Sequence, residues 1–360
     1  MGPGPSNIDP RVLHAMSRPI IGHLDPQFIG LMDEIKKLLR YAFQTENSLT
    51  FPVSAPGSAG MESCFANLIE QGDKVLVCIN GVFGNRMKEN VFRCGGEAVI
   101  VEDDWGSPVS TEKVEEALIA HPDIKIVAFV HAETSTGVCS DAAAISKLAQ
   151  AHDCLTILDC VTSLAGIPVF IDKWGIDAAY SGSQKCLSCP PGLSPVTFSS
   201  RAVDKIRNRN TPVQSWFLDL SLVMDYWSGD GARSYHHTAP VNSMYALHES
   251  LLLLSEEGLE NSWKRHKICH QELKTGFEKL GLAFMVEEPY RLPQMNSVII
   301  PESLRFRESE IRKTLLEEYN LEIGSGLGAL AGKIWRVGLM GFGASEENIH
   351  TCISALKQVL

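Results

Sequence analysis

Two side chains in this chain have the types and placement that covalent chemistry on a carbonyl needs. Lys185 lies in Tyr180-Ser-Gly-Ser-Gln-Lys-Cys-Leu187, at the end of an apolar stretch that reads as a strand. Asp159 ends an earlier stretch of the same kind, Leu155-Thr-Ile-Leu-Asp159. A partly neutral lysine amine attacks an aldehyde to form a Schiff base, and desolvation promotes the neutral form. A carboxylate closing a hydrophobic strand is costly unless paired. A protonated ring nitrogen would satisfy it and stay cationic in return. Taken singly, each residue can be an ordinary salt-bridged side chain.

Further residues suit the same chemistry. In Ser54-Ala-Pro-Gly-Ser-Ala-Gly-Met-Glu62, small residues run into a helix. Several backbone N–H groups there can converge on a phosphate at the positive helix end, and Ser58 can add a hydroxyl. An ordinary loop-to-helix junction has the same composition. The spacing is not Gly-x-Gly-x-x-Gly and no ribose-binding acid follows a first strand, so a dinucleotide site is not expected. Phe83, in Asn80-Gly-Val-Phe-Gly-Asn-Arg86, can stack on a planar ring or fill the core. Thr134, in His131-Ala-Glu-Thr-Ser-Thr-Gly137, can hydrogen-bond a ring substituent. Arg336 stands mid-strand in Lys333-Ile-Trp-Arg-Val-Gly338. A buried arginine needs an anionic partner, either a substrate carboxylate held bidentately or an internal ion pair. No metal site is expected. His131 and Glu133 lack a third ligand at a recognisable spacing, and Cys186 and Cys189 lack a second cysteine pair. The lysine and aspartate in this order, each at a strand end where α/β proteins place ligands, are the groups that pyridoxal phosphate (PLP) requires of its protein.

The elements that must position these residues are legible in outline. Residues 1–9 are too rich in Pro and Gly for a helix or a central strand. Asp25-Pro26 offers an N-cap and a proline at the first helical position. Phe28, Ile29, Met32, Ile35, Leu39 and Phe43 follow at helical spacing, which predicts a helix over about 26–44. Apolar runs predict strands at 74–79, 98–102, 124–130, 155–159, 178–182 and 195–199, with helices at 61–70, 85–92, 111–120 and 142–152. This alternation means a mostly parallel sheet sandwiched by helices. After about residue 245 a long helical stretch, 244–280, precedes short strands near 296–300 and 334–339 and helices near 308–319 and 346–359. The expected organisation is an N-terminal extended segment (1–22), a large domain (23–258) and a smaller C-terminal α+β domain (259–360).

The 360 residues are 44% apolar and 21% charged, enough for a sizeable core. A net charge of −11 argues against broad binding to nucleic acid or anionic membranes. No apolar run approaches the about 18 residues of a membrane span. Ten cysteines without framework spacing, and no signal peptide or peroxisomal ending, point to the cytoplasm.

The chain resembles the class V aminotransferases of PLP fold type I, in the alanine–glyoxylate / serine–pyruvate group. The matching stretches are Gly2-Pro-Gly-Pro-Ser-Asn7, Met32-Asp-Glu-Ile35, Phe43-Gln-Thr45, the 54–62 turn, the 131–137 segment, Asp159-Cys-Val-Thr-Ser-Leu164, Ser181-Gly-Ser-Gln-Lys185, Pro190-Pro-Gly192, Tyr235-His-His-Thr238, Gly258-Leu-Glu-Asn261, Tyr290-Arg-Leu-Pro293 and the 333–338 strand. The resemblance implies that Lys185 is the Schiff-base lysine and Asp159 the pyridinium partner. It places Phe83 on one ring face and Val161 on the other, and Gly57, Ser58, Ala59 and Gln184 around the phosphate. Tyr235 and Thr238 would reach the phosphate of a neighbouring subunit, which implies a homodimer with shared sites. Arg336 would bind the substrate carboxylate. The implied reaction is a ping-pong transamination from alanine or serine to glyoxylate, giving glycine and a 2-oxo acid. Relatives that use ureidoglycine carry Gln and Asn where this chain has His23 and Tyr235, and insect relatives use 3-hydroxykynurenine.

Overall fold

A computed structural model describes residues 1–227 and 233–360. The first helix, α1 (Pro10–Met16), is capped by Asp9, whose side chain accepts from the Arg11 amide. Helix α2 (Pro26–Phe43) starts as its sequence predicts. Asp25 accepts from the Gln27 amide, proline takes the first turn, and Phe28, Met32, Ile35, Leu39 and Phe43 are buried.

The alternation that follows builds one layered unit. Its elements are β1 (Leu49–Val53), α3 (Gly57–Leu68), β2 (Lys74–Ile79), α4 (Val82–Arg93), β3 (Glu97–Glu102), α5 (Thr111–Ala120), β4 (Ile124–Val130), the short hairpin β5 (Ala132–Glu133) and β6 (Val138–Cys139), α6 (Ala142–Ala151), β7 (Leu155–Asp159), α7 (Ile171–Trp174), β8 (Ala178–Tyr180), β9 (Ser194–Phe198), α8 (Ser200–Arg207) and α9 (Leu220–Trp227). Seven strands form a sheet in the order β1-β9-β8-β7-β4-β2-β3. β3, β2, β4, β7 and β8 run parallel, whereas β9 is antiparallel to β8 and to β1. Helices cover the sheet, so its central strands are apolar on both faces and read as continuous runs.

The C-terminal part contains α10 (Val241–Glu257), α11 (Leu259–Lys279), β10 (Met295–Ile299), α12 (Glu308–Tyr319), β11 (Gly324–Ser325), β12 (Ile334–Gly338) and α13 (Glu346–Val359). Three strands pair antiparallel in the order β10-β12-β11. A second apolar cluster, including Phe277, Leu315, Trp335 and Leu356, is separate from the cluster around the large sheet.

Some expectations are corrected. The predicted stretch 244–280 is two helices, because Gly258 takes φ 83° between α10 and α11, where leucine periodicity continues through the break. β1 was not expected. It contains Pro52 and lies at the sheet edge, the place where a strand tolerates proline. α1, α8 and α9 were also not expected; each spans only 7–8 residues, too few turns to set a helical period against the background. The strand expected at 178–182 stops at Tyr180, so Lys185 is carried by the loop that follows.

Candidate active site

Asp159, at the end of β7, is only 3% exposed. Its Oδ1 accepts from the Val161 amide (2.9 Å) and its Oδ2 from the Tyr180 hydroxyl (2.7 Å). Burial pushes its carboxyl up to about 7, against the pull of these two donors. Lys185 follows β8 in a turn closed by the Ser188 amide on the Lys185 carbonyl (2.9 Å). Its Nζ donates to the Pro3 carbonyl. Burial lowers the amine to about 8, and the charge of Arg336 adds to the shift. The N-terminal segment is thereby part of the site. The Met1 carbonyl accepts from Gly338 on β12 (2.8 Å), and the Ser6 hydroxyl donates to the Lys185 carbonyl (2.7 Å).

Beside this pair, α3 begins at Gly57 without a side-chain cap. Gly57, Ser58 and Ala59 form its first turn; Ser58 is exposed, and the Ala59 amide is used by Pro56 (2.8 Å). A Cβ on Gly57 would lie 3.6 Å from Gly182 and 3.7 Å from Val161, so the helix start, the end of β7 and the lysine loop converge. Gln184 presents a buried amide oxygen with no partner. Since the two ends of an amide are exchangeable, this group can equally offer a donor. Phe83 is half-buried in the first turn of α4, with the Arg86 guanidinium 4.9 Å from its ring. Thr134 shares a 2.5 Å hydrogen bond with Thr162.

Arg336 is 7% exposed in β12. Its Nε donates to the Ser325 carbonyl (2.8 Å) and its Nη1 to the Thr134 carbonyl (3.3 Å). Among the described residues it makes no ion pair, so the internal-pair alternative has no carboxylate partner, and the anion expected on sequence grounds is replaced by two carbonyls.

Residues 4–342 match the family model described as aminotransferase class-V. The chain belongs to the class V aminotransferases. The alanine–glyoxylate aminotransferase of Oryctolagus cuniculus is 42% identical over 362 aligned positions, which cover all of this aminotransferase and 92% of that protein. A solved alanine–glyoxylate aminotransferase from Nostoc sp. superposes with a TM-score of 0.97 at 48% identity, covering all of this chain and 94% of that one. The ureidoglycine–glyoxylate aminotransferase structure from Bacillus subtilis also gives 0.97, at 39% identity, covering all of this chain and 92% of that one. The aminotransferase is a transaminase of PLP fold type I, acts on amino and 2-oxo acids, and depends on PLP. Its residues fit that group: an uncapped helix start and an unpartnered Gln184 face a phosphate requirement, and a buried Asp159 retains lone pairs for a ring nitrogen.

Two residues at the heart of the aminotransferase site had no role in the sequence reading. Tyr180, read only as strand, donates to Asp159. Glu133, read only as half of an incomplete metal pair, is a fully buried carboxylate. A polar residue closing an otherwise apolar run was the available signal for Tyr180. Tyr235 and Thr238 do not join the Lys185 group within this chain. Both are exposed, 3.3 Å apart, with the Tyr235 ring 5.3 Å from that of His23. No helix among the described residues is long and apolar enough to cross a membrane.

Proposed function

We propose that this aminotransferase moves the amino group of alanine or serine to glyoxylate, releasing glycine and a 2-oxo acid. The observation that carries the reading is Arg336. It is a buried guanidinium, close enough to Lys185 to depress its basicity, and among the described residues it forms no ion pair. That is a seat for a substrate carboxylate next to an amine, and full-length likeness to alanine–glyoxylate aminotransferases supports the substrate class.

The proposed roles are those the family resemblance implies. PLP, when bound, supplies the carbonyl that receives the amino group and a ring that takes up electron density. Burial lowers the Lys185 amine to about 8, so a substantial neutral fraction is available near neutral pH to take the proton from the substrate Cα and to deliver it to the carbon on the other side of the substrate nitrogen, which the cofactor would supply. Asp159 keeps the ring nitrogen protonated. Phe83 and Val161 would flank the ring, and Thr134 would hydrogen-bond its substituent. Gly57, Ser58, Ala59 and Gln184 hold the phosphate. Arg336 orients the substrate carboxylate with a planar fork.

We further infer a homodimer in which Tyr235 and Thr238 complete the partner's phosphate site. Both are exposed; Thr238 shares a hollow with the exposed Ile20, and the exposed Trp216 stacks on the neighbouring His236, apolar side chains left uncovered in the single chain. The division between 23–258 and 259–360 is supported by the two apolar clusters, whereas the 1–22 segment, expected to be extended, forms helix α1 and packs Val12 and Ala15 into the cluster of the large sheet. Ten free cysteines support a reducing, cytoplasmic setting.

The test is a donor panel (alanine, serine, ureidoglycine, 3-hydroxykynurenine) with glyoxylate or pyruvate as acceptor. Alanine or serine with glyoxylate should be the most efficient pair; greater efficiency with ureidoglycine would move the enzyme to the group of its Bacillus relative. Borohydride should fix PLP on the peptide containing Lys185, and Lys185→Ala should abolish turnover. Label on another lysine would reject the assignment.

A further inference from the structure

A buried acid that the proposed reaction leaves unused lies beside Asp159 and Arg336. Glu133, at the end of β5, is 0% exposed. Its Oε1 accepts from the Ser135 amide (3.0 Å) and the Ser135 hydroxyl (2.6 Å). Its Oε2 accepts from the Phe83 amide (3.2 Å), and the Gly84 amide also points to it. The Ser135 hydroxyl in turn accepts from the Val82 amide (3.0 Å).

Val82, Phe83 and Gly84 are the first three residues of α4, and the N-cap residue, Gly81, has no side chain with which to cap them. Their amides are among the donors that a helix cannot satisfy internally. Glu133 and Ser135 satisfy them from another part of the chain, with an acid at the positive end of the helix. Burial pushes the Glu133 carboxyl above its ordinary value, and these donors offset part of that cost. Gly81 makes the approach possible. A Cβ there would lie 2.4 Å from Glu133 Cδ and 2.6 Å from Ser135 Oγ. The glycine is required by space and not by backbone angle, since its φ of 173° is extended.

Between Glu133 and Ser135, the Thr134 carbonyl accepts from Arg336 (3.3 Å); burial lowers the basicity of the guanidinium, and Glu133 opposes that shift. One three-residue segment thus grips the helix that carries Phe83 and steadies the substrate-facing arginine.

We propose that Glu133 is a positioning residue that clamps the first turn of α4 and so fixes the Phe83 side chain where it would meet the cofactor. The proposal rests on the reading of Phe83 as the stacking residue. It predicts that Glu133 acts through Phe83.

In Glu133→Gln the shape is kept, but an amide N–H₂ must face either the Phe83 amide or the Ser135 donors. The readouts are the visible circular dichroism of bound PLP, its Kd, the kcat and KM of the holoenzyme and the melting temperature of the PLP-free protein. Glu133→Gln should weaken the dichroism and raise the PLP Kd about tenfold, the usual worth of a charge-assisted hydrogen bond. In a Phe83→Ala background the same change should add little, since coupled residues are not additive. Unaltered dichroism and Kd in Glu133→Gln, or the same loss with and without Phe83, would overturn the proposal. Should Glu133→Gln not fold, Ser135→Ala removes the acceptor of Val82 and leaves the acid. A Phe83-dependent loss of dichroism supports the clamp, and wild-type dichroism overturns it. Phe83→Ala alone separates the two readings: if it leaves the dichroism intact, the stacking role itself fails.

Discussion

At the scale of single residues, burial brings Asp159 and Lys185 to neighbouring acidities, about 7 and about 8, from ordinary values far apart. Asp159 has a folded value raised from 3.8, so between about pH 4 and 7 the native state holds a proton that the unfolded chain has lost. Its contribution is intact at low pH and is lost as pH rises through the folded value, a swing of roughly 4 kcal/mol. Melting of PLP-free protein between pH 5 and 8 should show this decline, and Asp159→Asn should flatten it; an equal slope in the variant would mean the proton resides elsewhere. Asp159→Asn should also lower kcat with PLP bound, because the ring nitrogen loses its anionic partner. Arg336→Ala should raise KM for donor and glyoxylate together, by the roughly 2–5 kcal/mol that a desolvated charged pair is worth. Arg336→Lys should recover part of this, since an ammonium makes no bidentate fork. A variant that lost PLP yet kept its KM values after reconstitution would make the arginine structural.

At the scale of elements, the phosphate side depends on how closely α3 lies against the sheet. Gly60 sits in its second turn, and a Cβ there would fall 1.9 Å from Ser194 Oγ and 2.9 Å from Ser194 Cβ on β9. Ser194 cannot easily yield, because its hydroxyl donates to the Ser181 carbonyl (2.6 Å). Gly60→Ala should push α3 outward and move the amides of its first turn. The expected result is overpacking of about 1–3 kcal/mol in thermal unfolding, together with weaker PLP binding by equilibrium titration. Wild-type PLP affinity with reduced stability would show that the helix start moves independently of this contact. The sheet has a similar logic. β7 and β8 are parallel neighbours, so their ends deliver Asp159 and the lysine loop to the same edge, as expected where ligands bind α/β sheets.

At the scale of the whole molecule, the N-terminal segment ties the three-stranded sheet to the lysine loop, bonding Gly338 on β12 through Met1 and the Lys185 carbonyl through Ser6. The face bearing Tyr235 and Thr238 is left open. Ile20, 73% exposed, lines the same hollow as His23 and Thr238. Ile20→Glu should therefore weaken self-association in sedimentation velocity and, with it, retention of PLP. A variant that remained dimeric with full PLP would place the contact on another face.

The sequence by itself determined the layered α/β class and the order of most of its elements. It also brought forward the lysine and aspartate as a pair, because apolar runs, proline and glycine punctuation and a polar residue at a strand end are local signals. Only the tertiary structure decided which distant groups meet them. The Pro3 carbonyl reaches Lys185 across 182 residues, and Thr134 reaches Arg336 across 202. The antiparallel insertion of β9 between β1 and β8, the phenol on Asp159 and the acid under α4 are of the same kind. None has a spacing in the chain that marks it, since each arises where separate elements fold to within hydrogen-bonding distance. A backbone carbonyl or a buried glutamate gains its meaning from the donors that surround it.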